Sequence, residues 1–251
     1  MKKTIFTISA LILTLSVLCV FTSCNLFKKN TEKEDADLPY ATPPTMTAEP
    51  FEVIDSNITL WKDSGDTIWG KLIVEVKNTS KAVVHLKADD FDLADQSGKI
   101  AETMQMVSVY PEIIQPGETA VYYSQTEMKK ISDENLHLKI IDHITPVESK
   151  NQQVLFPVTD VKLTDIKDGG IKATGKIENN TTEEQDFVYA AVICRDSKGK
   201  ALTVLLTILE KPLEANGKAD FEASSYSLPK EITADNIKSF DAYAYPSQEQ
   251  F

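Results

Sequence analysis

Ser197 and Lys200 stand three residues apart in the run Asp196-Ser197-Lys198-Gly199-Lys200. This is the S-x-x-K spacing of serine acyl-enzymes, whose serine opens a helix with the lysine one turn on. Here an acid and a glycine mark the corners of a hairpin, so turn chemistry is expected instead. Cys194 is the next candidate nucleophile. Strand alternation puts it on one face with Val188, Ala190 and Val192, pointing inward, and puts Arg195 on the other. A buried thiol away from any base is a small inert hydrophobe. No catalytic residue is assigned.

Two clusters invite a metal. Asp89, Asp90, Asp92 and Asp95 are dense enough for calcium, which takes six to eight oxygens. Phe91 and Leu93 interrupt them as core residues, and no glutamate closes a twelve-residue loop, so these acids, like those of Asp165 to Gly170, are expected to solvate or form turns. His85, His137 and His143 are the three imidazoles; no two lie three or four residues apart, and one strand cannot surround a metal. Neither a metal site nor a cofactor is expected. Asn57-Ile58-Thr59, Asn78-Thr79-Ser80 and Asn180-Thr181-Thr182 fit the glycosylation sequon and equally fit turns. Tyr122, Tyr123, Tyr189, Tyr243 and Tyr245 fall on predicted strands, where alternation leaves some facing outward; a binding face, if present, is expected there, with its ligand unknown.

The N-terminus carries more specific chemistry. Lys2 and Lys3 precede an apolar run from Ile5 to Phe21, and the small residues Thr22 and Ser23 come immediately before Cys24. The run has the length of a secretory signal. Its junction resembles the lipobox of bacterial lipoproteins, in which the cysteine is acylated and becomes the first residue of the mature chain. The usual Leu, Val or Ile three residues earlier is replaced by Phe21. Cys19 is a poorer candidate because bulky Val17 and Leu18 precede it. The resemblance implies lipidation at Cys24 and an extracytoplasmic, lipid-anchored location on a bacterial membrane; the alternative is an ordinary signal peptide with an incidental cysteine. Loss of residues 1–23 leaves 24 bases against 38 acids, a net of −14. Such a body is repelled by nucleic acid and anionic lipid, so membrane contact must come from the acyl chains. Cys194 is then the one remaining thiol, which excludes an intramolecular disulfide.

The elements that position these residues follow from the chain beyond the anchor. With 251 residues, 42% of them hydrophobic, the sequence has room for two domains. Residues 25–50 are charged, rich in Thr and Pro, and without apolar period; as a coil this linker spans roughly 30 Å. From residue 51 the pattern alternates. Ile68, Gly70, Leu72, Val74 and Val76 share one face, with Lys71, Glu75 and Lys77 on the other, which predicts a half-buried strand. Ile171, Ala173, Gly175 and Ile177 repeat it, and an offset of 101 takes Asn78 to Asn179, Asp95 to Asp196, Gly98 to Gly199 and Ile131-Ser132 to Ile232-Thr233. Two copies of one all-β module are expected. Strands are predicted near 57–61, 67–77, 82–87, 91–94, 99–110, 119–125 and 136–142, and near 154–164, 170–178, 186–195, 200–208, 218–224 and 237–245, with short helical turns at 127–134 and 229–236.

Phe91-Asp92-Leu93-Ala94-Asp95 followed by Gly98-Lys99 resembles the FxLYD signature of immunoglobulin-like domains in bacterial surface lipoproteins. Val76-Lys77-Asn78-Thr79-Ser80 and Pro116-Gly117-Glu118 are similar to features of telokin-like domains, and Val192 to Asp196 matches more loosely. The resemblance implies two tandem immunoglobulin-like antiparallel β-sandwiches, 51–148 and 149–251, after a signal peptide at 1–23 and a lipidated N-terminus and linker at 24–50. It also implies a binding or accessory role, with an envelope protein or glycan as partner, and brings no catalytic residues with it. The expectation is a non-catalytic envelope protein; the alternative is an extracytoplasmic hydrolase or thiol enzyme. Each sandwich is expected to bury its own core and to unfold cooperatively when expressed alone.

Overall fold

Alternating apolar residues broken by turn signals make strands, and among the described residues the computed structural model contains fifteen strands and one short 3-10 turn. The structure describes residues 51–167 and 169–247, all within the compact unit Met46–Phe251. The predicted signal sequence, Cys24 and the linker to residue 50 lie outside the described residues.

The chain runs through β1 (Phe51–Lys62), β2 (Ile68–Asn78), β3 (Val84–His85), β4 (Asp89–Ala94), β5 (Ile100–Tyr110), β6 (Ile113–Ile114), β7 (Thr119–Glu127), β8 (Lys139–Asp142) and β9 (Val147–Glu148). It continues through β10 (Val158–Asp165), β11 (Gly170–Glu178), β12 (Val188–Arg195), β13 (Ala201–Ile208), β14 (Lys218–Tyr226), the 3-10 turn Ala234–Asn236 and β15 (Ser239–Pro246). The fold is all-β and antiparallel. One six-stranded sheet has the order β1-β2-β7-β5-β4-β8 and the other β10-β11-β14-β13-β12-β15, the same order in the same chain sequence. β5 changes partner along its length. Residues up to Val107 pair with β4 and Ser108 to Tyr110 pair with β7, with left-handed Met106 (φ 50°) at the change. In the other sheet β13 meets β14 at one pair, Leu206 with Ser224. Each sheet thereby folds over into a sandwich with three strands on either side of its own apolar cluster.

The first cluster includes Leu72, Val74, Phe91, Leu93 and Tyr122, and the second Ile171, Ile177, Val192, Cys194 and Leu205. Phe91 and Leu93 are fully buried, as the alternation predicts, and the Phe91 and Tyr122 rings sit 5.3 Å apart. The hairpin after Phe91-Asp92-Leu93 is closed by Asp95, whose carboxylate accepts the Ser97 and Lys99 amides, with Gly98 at φ 85°. Asp196, Lys198, Lys200 and Gly199 (φ 80°) reproduce it 101 residues later.

Asn78 and Asn179 are the deepest marks of the repeat. Both are fully buried. Asn78 Nδ2 donates to the Ala82 and Ile114 carbonyls while its Oδ1 accepts from Ser80. Asn179 Nδ2 donates to Glu183, Leu213 and Glu214, and its Oδ1 accepts from Thr181. One amide thus ties each β2-type strand to two loops, adding a buried donor to carbonyls such as those of Leu213 and Glu214, which the Gln185 and Gly217 amides also reach.

The helical turn predicted at 127–134 does not form. Glu102 Oε2 takes the Lys129 and Lys130 amides, drawing that segment onto β5 instead of into helical bonding. At 229–236 only Ala234–Asn236 is helical, as a 3-10 turn.

Asn179→Ala should lower stability by about 2–4 kcal/mol, since it removes the three hydrogen bonds donated and the two accepted by a fully buried amide, whereas exposed Asn180→Ala should change it by less than about 0.5 kcal/mol. Thermal denaturation of the two variants measures the contrast.

Candidate functional site

The residues singled out for nucleophilic chemistry are placed by the fold in structural positions. Ser197 occupies the β12–β13 hairpin, its amide neighbours bound to Asp196, and Lys200 reaches Asp55 at 3.5 Å. Cys194 is fully buried in the second cluster, and burial pushes its thiol up to about 12. Asp92 accepts Thr103 Oγ1 at 2.6 Å and meets His143 Nε2 at 3.1 Å. The Thr103 hydroxyl and His143 hold that carboxyl below its usual range. Asp89 caps the Asp90 amide and Asp90 takes the amide of Met106, so these acids serve β4 and the bend in β5. His137 is exposed, and His85 lies in β3 between β6 and β9.

The larger departure from the sequence reading lies on the outer face of β2. Alternation gave Lys71 and Glu75 to solvent, but they are 3% and 6% exposed, and Ile73 between them is fully buried. What covers them is the other sandwich. Ile73, Tyr110, Val121 and Tyr123 form a third cluster with Ala191, Ile193, Ala201, Val204 and Tyr245, and Tyr189, Leu206 and Tyr243 pack against it. Of the five tyrosines expected on strands, Tyr122 is in the first core and the other four build this seam. Tyr189 and Tyr245 stack at 6.0 Å; Tyr245 is fully buried, and its hydroxyl has no hydrogen-bond partner among the described residues.

Polar bonds fix the seam's register. Arg195, the chain's single arginine, forks onto Glu75: Nη2 to Oε1 at 2.7 Å and Nη1 to Oε2 at 3.0 Å. Its Nε donates to Asp241 at 2.6 Å and its Nη1 also to the Gly199 carbonyl at 2.9 Å. The two bound carboxylates raise its pKa further. Tyr123 Oη and Thr203 Oγ1 bond at 3.0 Å, Gln125 Nε2 donates to the Tyr226 carbonyl at 2.6 Å, and Lys71 Nζ to the Leu202 carbonyl at 2.6 Å. The sequence held two signals of this contact: Ile73 and Ile193 stand on the polar side of their strands, and β12 reads as a nearly continuous apolar run.

Where the seam opens, a cleft of about 670 Å³ lies between the β1–β2 hairpin and, across from it, the β10–β11 turn and Ser227 to Thr233. Trp61, half-buried, lines it. Neither family profiles nor curated proteins give a match. Among solved structures, a red sea bream transglutaminase is similar at 10% identity over 81% of this chain and 32% of that chain, with a TM-score of 0.21. The chain thus spans about a third of that protein's length, and a likeness so slight carries nothing about activity.

Burial pushes the Lys71 ammonium down to about 8 from an ordinary 10.5, with Glu231 opposing the shift. Between those values the unfolded chain holds the proton and the folded chain does not, so this group's contribution to stability rises with pH across the window and is lost as pH falls through about 8. Denaturant unfolding of the wild type and of Lys71→Met at pH 7.5 and pH 10 should show the wild type gaining on the variant at the higher pH, the tyrosine titrations cancelling in the difference.

Proposed function

We propose that this chain is a non-catalytic, lipid-anchored binding or accessory protein of the bacterial envelope. The observation that carries the reading is Cys24, set behind Thr22-Ser23 at the end of the apolar run Ile5 to Phe21 and ahead of a charged linker. Acylation there places two or more chains at one residue, which holds a body that its net charge of −14 keeps off anionic lipid. The β body supports the same reading: Ser197, Cys194 and the aspartates near Asp92 are spent on turns, packing and strand capping, while the seam cleft is open to a ligand. A pair of immunoglobulin-like, FxLYD-type sandwiches on a spacer is an architecture for presentation and binding.

Cys24→Ala expressed in a bacterial host should give a soluble or uncleaved product without labelled fatty acid, while the wild type takes the label into the membrane fraction. Unchanged labelling of the variant rejects Cys24 as the anchor.

A further inference from the structure

We propose that the cleft at the end of the seam is a saccharide site that takes a neutral chain of equatorially substituted pyranose rings. The proposal deepens the binding role above and rests on that role only for access to envelope glycans; a failed sugar titration leaves lipidation at Cys24 standing, and the reverse holds as well. Its volume of about 670 Å³ is within the range of small-ligand sites, and it lies at a junction of two packed bodies, where such sites concentrate.

The walls define the ligand's chemistry. Trp61 and Trp69, the only tryptophans of the chain, are cross-strand neighbours at the end of the β1–β2 hairpin, on the sheet face turned away from the first core. Trp69 spends its indole N–H on Asp63 at 2.9 Å, whereas Trp61 makes no hydrogen bond among the described residues and belongs to none of the three apolar clusters. The Trp61 indole offers a flat apolar platform with a donor at its edge. The opposite wall mixes Ile166, Leu228, Pro229 and Ile232 with polar groups. Thr233 caps the 3-10 turn by position, but its hydroxyl makes no capping bond, and the side chains of Ser227, Lys230 and Glu231 make no hydrogen bond or ion pair among the described residues. Asp63 and Asp165 also face the cleft but are already occupied, by the Gly65 and Thr67 amides and by the Ala234 amide. The charged lining is Lys62 and Lys230 against Asp63, Asp165 and Glu231, a small negative excess that does not favour an anion.

A pyranose with equatorial hydroxyls has C–H bonds on its faces and hydroxyls around its rim. The cleft's lining offers it both, an indole face at Trp61 and hydrogen-bonding side chains at Ser227, Lys230, Glu231 and Thr233. An acyl chain would leave those polar groups desolvated, and an anionic ligand would meet no arginine and a strongly negative body. The wall is also held in place before any ligand arrives: Ser227 sits in the left-handed region (φ 54°) with its amide on the Gly169 carbonyl at 3.1 Å.

Because both tryptophans stand on this hairpin, the intrinsic fluorescence of the full chain reads the cleft directly. Titration with cellotetraose and with a β-1,4-linked N-acetylglucosamine tetrasaccharide, paired with saturation-transfer NMR on the sugar ring protons, should give a saturable fluorescence change at millimolar concentration with at least one of them. Trp61→Ala should weaken binding by about tenfold or more, and Trp61→Phe, which keeps an aromatic face, by less. Saturation transfer persists as a readout in variants where fluorescence is altered. No saturable response to either sugar overturns the proposal, as does undiminished binding by a Trp61→Ala protein that melts like the wild type.

Discussion

A guanidinium taken out of water has to be met on every side, and Arg195 is met from both halves of the molecule. Glu75 of β2 receives its fork, and Asp241 of β15 and the Gly199 carbonyl take remaining donors. Its side chain is 13% exposed and that of Glu75 8%, so neither charge can fall back on solvent if the other moves. Buried pairs of this kind add little net stability, but their geometry is unforgiving, because a small slip leaves an uncompensated charge. The apolar contact of Ile73, Val121 and Tyr123 with Ala191, Ile193 and Val204 supplies attraction without direction, and the Arg195 fork supplies the register.

Joining the outer face of one sandwich to a different outer face of its copy is a head-to-tail contact, and such contacts extend into filaments unless the ends are blocked. The residues at the free ends block them. In strand order, Ile73, Val121 and Tyr123 of the first half correspond to Thr174, Asp220 and Glu222 of the second. Ala191, Ile193 and Tyr243 of the second half correspond to Asp90, Asp92 and His143 of the first. The acids that resemble a calcium loop in the sequence thus stand where a further copy would dock. The ladder Lys172–Glu222, Lys176–Asp160 and Lys218–Glu178 covers the other end.

Most strands, the two hairpin turns and the register that pairs Asn78 with Asn179 were legible in the sequence, because period-two alternation and acid-to-glycine turns are local signals; that both asparagines are buried was not. The seam was not, since alternation says which residues share a face and not whether that face meets water. Lys71 and Glu75 read as solvent-facing by type, and only Ile73 and Ile193 contradicted them. The missing helical turn at 127–134 has a similar origin: Glu102, more than twenty residues away, claims amides that local propensity would give to a helix. Of the candidate site, the tyrosine strands where a binding face was expected instead build the first core and the contact between the halves, and none of those tyrosines lines the cleft. Trp61 carried no signal, because its openness depends on what the second half leaves uncovered.

The central claim is that the seam couples the two halves energetically, and the chain carries a separate reporter for each half: both tryptophans in the first, buried Cys194 in the second. Ile193→Ala leaves the first half's own sequence untouched and opens a cavity only at the seam, a cost of about 2–4 kcal/mol. Denaturant unfolding followed by tryptophan fluorescence and by thiol labelling of Cys194 reads the consequence on each side. The account predicts that the tryptophan transition moves to lower denaturant together with Cys194 exposure; a tryptophan midpoint that stays at its wild-type value while Cys194 exposure shifts would contradict it.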